Sequence, residues 1–216
     1  MFCAALKTAT SKGCGTPTIV RTHTGSGTPA SFNIGDESVE RIIVVSVSAQ
    51  GQSSNYTLTL NGESPLVIYN GFSGSGGQVA FAIWKVPTGT TATFTSSASC
   101  QPISVYAIYG WPDYKVLQFN SYYGFDSNDW SFTTGQIPAN TILFGTWSTN
   151  EDGDASLKQY NFGVSNRFFY GTGSHDGGTA YELITEYNQS RSIICDVSGK
   201  RRSFGFLALT CSNSVI

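Results

Sequence analysis

The chain has 216 residues, a net charge of −2 from 12 Lys+Arg against 14 Asp+Glu, and 12% charged residues, about half the roughly 25% of an ordinary soluble domain. This balance gives no basic face for nucleic acid. Its 28 Ser, 23 Thr and 24 Gly make about a third of the protein, and with 29 aromatic residues they point away from helical bundles and from a disordered chain, toward an all-β protein with a small-polar surface.

Residues 1–15 are small, polar and weakly patterned, with room for one short helical turn around Ala4 to Lys7, and are expected to form an extended N-terminal arm. Phe2 and Leu6 are its only sizeable apolar side chains after Met1, too few to bury a face, so the arm must borrow contacts from a neighbouring subunit. Met1 is the sole methionine and no basic n-region follows it, which reads as synthesis in a cytoplasm without a signal peptide.

From Thr16 the punctuation is that of strands. Thr16 to Thr24 partly alternates and meets a Gly25-Ser26-Gly27 turn. Arg41 to Ala49 is β-branched and nearly continuous, as a central strand buried on both faces requires; it is strand-sized, well short of the roughly 20 residues a membrane-spanning helix needs. Tyr56 to Leu60 alternates and stops at Asn61-Gly62, a strong turn signal. Further runs cover Gln78 to Val86, Thr91 to Thr95, Ile103 to Tyr109, Lys115 to Tyr122, Thr141 to Ser148, Thr179 to Tyr187, Ser192 to Val197 and Ser203 to Cys211. No window holds a 3.6-residue period.

The expected fold is therefore all-β: a two-layer antiparallel β-sandwich of jelly-roll type, forming a single domain over 16–216. Its core is expected to contain Ile43, Val45, Val47, Leu58, Leu60, Phe81, Ile83, Val105, Ala107, Phe144 and Leu207. Val86-Pro87-Thr88-Gly89-Thr90 and Ile137-Pro138-Ala139-Asn140-Thr141 echo each other. The echo marks either a duplicated half-sandwich or one turn chemistry used twice.

Catalytic motifs are scarce. His23 and His175 are the only imidazoles. Gly71-Phe72-Ser73-Gly74-Ser75 misses the G-x-S-x-G elbow, and Gly171 to Asp176 misses the dinucleotide fingerprint. No catalytic residue and no cofactor is expected. Glu151, Asp152 and Asp154 flank Gly153 and belong to the ligand class calcium prefers, without the spacing of its loop; a solvated turn is the simpler reading. Lys200, Arg201 and Arg202 are expected at a hairpin tip, where they either keep an edge soluble or contact an anion or a neighbouring subunit.

Aromatics crowd the second half, with 8 in residues 1–105 and 21 in 106–216, so a ring platform is sought there. Tyr122, Tyr123, Phe125 and Trp130, with Asp126, Asn128 and Asp129 between them, are the candidate for stacking on sugar rings and bonding their hydroxyls, helped by Tyr160 and Tyr170. Cys3, Cys14, Cys100, Cys195 and Cys211 show no metal spacing. A cytoplasmic origin favours reduced thiols, while Cys3 and Cys14 together with Phe2 and Leu6 are the residues by which the arm would attach, through a bridge within it or between chains.

The runs Arg41 to Gly51, Val86 to Thr90, Ile103 to Gly110, Ile142 to Ser148 and Phe204 to Leu209 resemble β-sandwich structural proteins of tailed bacteriophages, prophages and gene-transfer agents. The resemblance spans roughly 16–211 and implies a non-enzymatic virion component, either a capsid decoration or spike protein or a tail or fibre element. It implies as partners other virion proteins and further copies of the chain, with no membrane insertion. Host surface polysaccharide is the partner implied by the alternative, a carbohydrate-binding receptor-recognition module.

Overall fold

The computed structural model describes residues 14–25, 31–50, 55–73, 77–97, 102–124, 130–149, 157–160, 168–171, 176–187, 190, 192–197 and 202–212. Every regular element among them is a strand. In the first half these are β1 (Thr18–Gly25), β2 (Phe32–Asn33), β3 (Ile42–Gln50), β4 (Leu58–Leu60), β5 (Val67–Ser73), β6 (Gly77–Lys85), β7 (Thr91–Ala92), β8 (Phe94–Ser96) and β9 (Ile103–Tyr109). The second half has β10 (Tyr114–Gly124), β11 (Trp130–Thr133), β12 (Thr141–Thr149), β13 (Leu157–Tyr160), β14 (Phe168–Gly171), β15 (Asp176–Ile184), β16 (Ser192–Val197) and β17 (Arg202–Cys211).

The pairing is antiparallel throughout. One five-stranded sheet runs β1-β9-β3-β6-β5 and the other β10-β17-β12-β15-β14. The expected all-β, sandwich-like character is present, but as two stacked five-stranded sheets with smaller covering sheets rather than as one two-layer sandwich. Counting strands within each half, with β7 and β8 sharing the seventh place around Thr93, both large sheets have the order 1-8-3-6-5. Both halves also cover that sheet with strands 2, 7 and 4: β2-β7 and β4-β8 in the first, β11-β16-β13 in the second. Even an irregularity repeats, since β1 against β9 and β10 against β17 each carry a register shift, between Arg21 and His23 and between Val116 and Gln118.

The two large sheets stack on each other with reciprocal contacts. β3 lies over β12, β6 over β17 and β5 over β10; β9 meets β15 through Ser104 and Thr179. Third on third, sixth on eighth, eighth on sixth and fifth on first is the relation of two subunits about a twofold axis. Four layers result, with three cores between them.

The side-chain period of two sorts residues among these cores. On β3, Ile43, Val45 and Val47 enter the first sandwich with Leu58, Leu60, Phe94, Val105 and Ala107. Ile42 and Val44 face the other way, into the layer shared with Phe81, Ile83, Ile142, Phe144, Leu207 and Leu209. Leu143, Trp147, Ala180, Phe204 and Phe206 fill the second sandwich. Every core residue expected from the sequence is buried, but the set is divided between the first sandwich and the shared layer.

The echoed turns do not mark the repeat. Val86 to Thr90 follows a sixth strand and Ile137 to Thr141 precedes a third, so the same turn chemistry serves two different joints. The repeat lies in strand order and register.

Five strands, β2, β5, β11, β13 and β14, fall outside the runs read from the sequence, and β15 covers Asp176–Ile184 where Thr179 to Tyr187 was expected. β15 starts at Asp176, three residues earlier than Thr179, because Gly177 passes where a Cβ would come within 2.7 Å of the Trp147 carbonyl oxygen and 2.6 Å of Pro102. β5 is absent from the sequence reading because Asn70-Gly71 looks like a turn; in place, Asn70 Oδ1 accepts from the Tyr56 amide at 3.2 Å. Asn61 and Gly62 do form the expected turn, at φ 53° and 82°, closing Leu60 onto Glu63.

Cysteine chemistry is the clear correction. Cys14 is bonded to Cys211, across 197 residues, where reduced thiols were expected. The fold brings them together: Cys211 pairs with Tyr114 at the end of β17, and Trp111 Nε1 donates to the Gly15 carbonyl at 3.2 Å. Cα atoms 5.9 Å apart suit a disulfide. Cys14 therefore bridges neither to Cys3 nor to another chain, and residues 14 and 15 belong to the sandwich.

Arg41 is the other surprise. It is 1% exposed, yet all its guanidinium donors reach backbone carbonyls: Nε to Val86, Nη1 to Gly35 and Asp36, Nη2 to Thr88 and Gly89, at 2.7–2.8 Å. One planar fork thus clamps the two loops at that end of the first sandwich.

Candidate functional site

Strand register gathers, at one end of the second large sheet, the strand ends that flank several of the sequence candidates. Gly124 pairs with Arg202, Arg202 with Thr149, Thr149 with Asp176 and Asp176 with Gly171. This row crosses five strands, about 19 Å at the usual strand spacing. The strand ends that carry segments 125–129, 198–201, 150–156 and 172–175 all lie in it. Phe125, Asp126, Asn128 and Asp129, Glu151, Asp152 and Asp154, His175, and Lys200 and Arg201 lie outside the described residues, as do Phe2, Cys3 and Leu6 of the arm.

Of the described candidates, Tyr122 is half-buried on β10 opposite Phe204, and Tyr123 follows it opposite Ser203. Trp130 opens β11 opposite Cys195, on the covering sheet rather than on the row. Tyr160 ends β13, also opposite Cys195, and Tyr170 lies on β14 opposite Gly177. Arg202 is the first residue of β17, flanked by Gly124 and Thr149. His23 stacks on Phe32 with ring centroids 5.3 Å apart, and burial lowers its pKa.

A second candidate escaped the sequence reading. At the opposite end, the start of β5 and the start of β10 border a shallow, open groove of about 500 Å³ lined by Leu66, Val67, Tyr69, Lys85, Asp113, Tyr114, Lys115 and Val116. Leu66 is 61% exposed on its rim. Deeper in, the Tyr69 ring meets Phe119 at 5.2 Å, so the aromatic wall is held by the shared core.

Lys85 Nζ lies 2.9 Å from Asp113 Oδ1 and donates to the Pro112 carbonyl at 3.3 Å. The hydrogen bond from Lys85, then that from the Tyr114 amide, holds the Asp113 carboxyl below its ordinary range. Burial pushes the Tyr114 phenol up, and the Asp113 charge adds to it. With side chains 41% and 58% exposed, this ion pair contributes below about 1 kcal/mol and serves to orient the rim. The groove offers apolar and aromatic walls with one ion pair; its lining has no imidazole, thiol or aliphatic hydroxyl. No sequence window could reveal it, because its walls come from segments nearly fifty residues apart and meet only when the large sheets stack.

No protein-family model, curated protein or solved structure matches the chain significantly.

Proposed function

We propose that the protein is a non-enzymatic structural component of a tailed-phage virion, a capsid decoration or spike protein or a tail or fibre element, which acts through contacts with other virion proteins and with further copies of itself. On this reading each half is a jelly roll, with sheet 1-8-3-6-5 facing strands 2, 7 and 4. The observation that carries the reading is that both large sheets bury both faces, one against a covering layer and one against each other. The faces of the large sheets are spent on packing. Strand edges and strand-end loops remain for contact, which suits a building block better than a cleft enzyme. Electron microscopy of native particles from the source tests this: the double sandwich should occupy repeated positions in the particle, and purified particles lacking the chain would refute it.

The row from Gly124 to Gly171 favours a second reading, a carbohydrate-binding receptor-recognition module. It brings together the flanks of the aromatic, basic and acidic loops, the mixture that sugar hydroxyls and ring faces select. Glycan-array binding that disappears in Trp130→Ala supports it; an array without a hit discards it.

A further inference from the structure

We propose that Asn61 is a site of self-modification: the exposed Asn61-Gly62 turn converts spontaneously to a β-linked isoaspartyl-glycine, while the fold holds the chain's other Asn-Gly pair, Asn70-Gly71, unreactive. The inference stands apart from the assembly reading and needs only water as co-reactant.

The reaction is a property of the dipeptide. The main-chain nitrogen that follows an asparagine, once base has taken its proton, attacks the side-chain Cγ. The new C–N bond closes a five-membered succinimide, and the carboxamide nitrogen leaves as ammonia. Water then opens the ring at either carbonyl, giving aspartate or its β-linked isomer, in which the main chain runs through the side-chain carbon; nothing is oxidised or reduced. Glycine in the second place favours the attack, because no Cβ shields its nitrogen and its main chain turns freely. The sequence holds two such pairs, Asn61-Gly62 and Asn70-Gly71.

The two carboxamides are matched as electrophiles. Asn61 Oδ1 accepts from the Thr93 amide at 2.8 Å and Asn70 Oδ1 from the Tyr56 amide at 3.2 Å, and such a donor stabilises the charge that develops on that oxygen during attack. The nucleophiles are not matched. Asn61 and Gly62 are exposed, at φ 53° and 82°, and nothing stands within 4 Å of where a Gly62 Cβ would be, so base, water and a rotating peptide plane all have room. The turn closes on Leu60 and Glu63 at the end of the three-residue β4, a short element that opens locally at little cost. Gly71, by contrast, is buried within β5 and paired with Val79, and a Cβ there would collide with the Ser121 side chain of the facing sheet. Its nitrogen cannot swing toward Asn70 Cγ without parting β5 from its neighbours.

Conversion changes the end of the first sandwich. The Asn61 amide donates to the Thr93 carbonyl at 2.7 Å while Asn61 Oδ1 accepts from the Thr93 amide, so the turn is tied twice to the joint between β7 and β8. An added main-chain carbon breaks the spacing of that double tie. The new carboxylate stands two residues from Glu63 and makes the chain one charge more negative than −2.

The test incubates the full chain at mildly alkaline pH, beside the same chain reduced and denatured, and follows both pairs by peptide mapping with mass spectrometry. Methylation by an isoaspartyl carboxyl methyltransferase identifies the β-linked product. In the folded chain Asn61 should convert at least about tenfold faster than Asn70, and denaturation should bring the two rates to within about twofold of each other. Equal rates in the folded chain, or earlier conversion of Asn70, would overturn the proposal, and so would an Asn61 that stays intact while the denatured chain converts at both pairs. A rate ratio that persists in the denatured chain would trace the difference to neighbouring residues and overturn the role given to the fold.

Discussion

Ser104 Oγ and Thr179 Oγ1 lie 2.6 Å apart in a fully buried contact that joins the eighth strand of one repeat to the sixth strand of the other. They mark a change of character along the shared layer. Toward the groove end it is aliphatic and aromatic, with Ile42, Ile83, Ile108, Ile142 and Leu209. Toward the loop end it is built of buried small hydroxyls, Ser46, Ser48, Ser104, Thr146, Ser148, Thr179 and Ser203. Small groups let the sheets approach there: a Cβ on Gly205 would sit 2.8 Å from Val79.

That contact predicts a non-additive pair. Ser104→Val or Thr179→Val alone leaves one buried hydroxyl without its partner and should cost about 1–3 kcal/mol. The double variant should recover most of that loss, because both polar groups are then gone. Denaturant unfolding of the four proteins checks it, and simple additivity would mean the two hydroxyls do not interact.

Arg41 should resist conservative exchange. Lysine keeps the charge but cannot reach five carbonyls with one ammonium, so Arg41→Lys should lose about 3 kcal/mol or more. A chemical denaturation midpoint within error of the parent would remove the clamp from the account of stability.

The disulfide should matter in proportion to the length it closes. In the chain-entropy model a 197-residue loop gives about 5 kcal/mol, an upper figure for a bond that reducing agent removes. Cys14→Ser with Cys211→Ser should unfold at lower denaturant and lose its sensitivity to dithiothreitol at this bond. Free-thiol counting under denaturing conditions, with and without reduction, provides the independent check.

His23 gives the expected pH response. Burial holds its folded pKa below the usual 6.5, so the unfolded chain binds the proton more readily than the folded one. Its contribution is neutral above that value and turns destabilising as pH falls through 6.5 toward the folded pKa. Thermal melts between pH 7.5 and 5 should decline, and the decline should flatten in His23→Gln; equal slopes would assign it to other groups.

How legible this was depends on the kind of interaction. β3 could be read directly, since apolar residues on both faces leave no other role for Ile42 to Val47, and Asn61-Gly62 announces its own turn. β5 could not, because Asn70 and Gly71 mimic a loop when their tertiary partners are unseen. The repeat is equally hidden: Ile42 to Gln50 and Thr141 to Thr149 hold the same place in their sheets with different side chains, so equivalence lives in hydrogen-bond register. Arg41 reads as a charged residue at a strand start until its carbonyl cage is seen. The Cys14–Cys211 bond depends on two chain ends that only the finished fold brings together.

A backbone that repeats about an axis while its side chains do not is a tile with a direction. On one flank fifth and first strands meet as β5 and β10 around Tyr69 and Tyr114. On the other, Arg21 of the first strand lies over the rings of Tyr106 and Tyr181, 5.5 Å from each centroid. A dimer of identical subunits would have shown the same flank twice, and its neighbours would have had to respect that sameness. Within one chain the same strand order therefore presents two chemically different flanks, the Tyr69 and Tyr114 side and the Arg21 side.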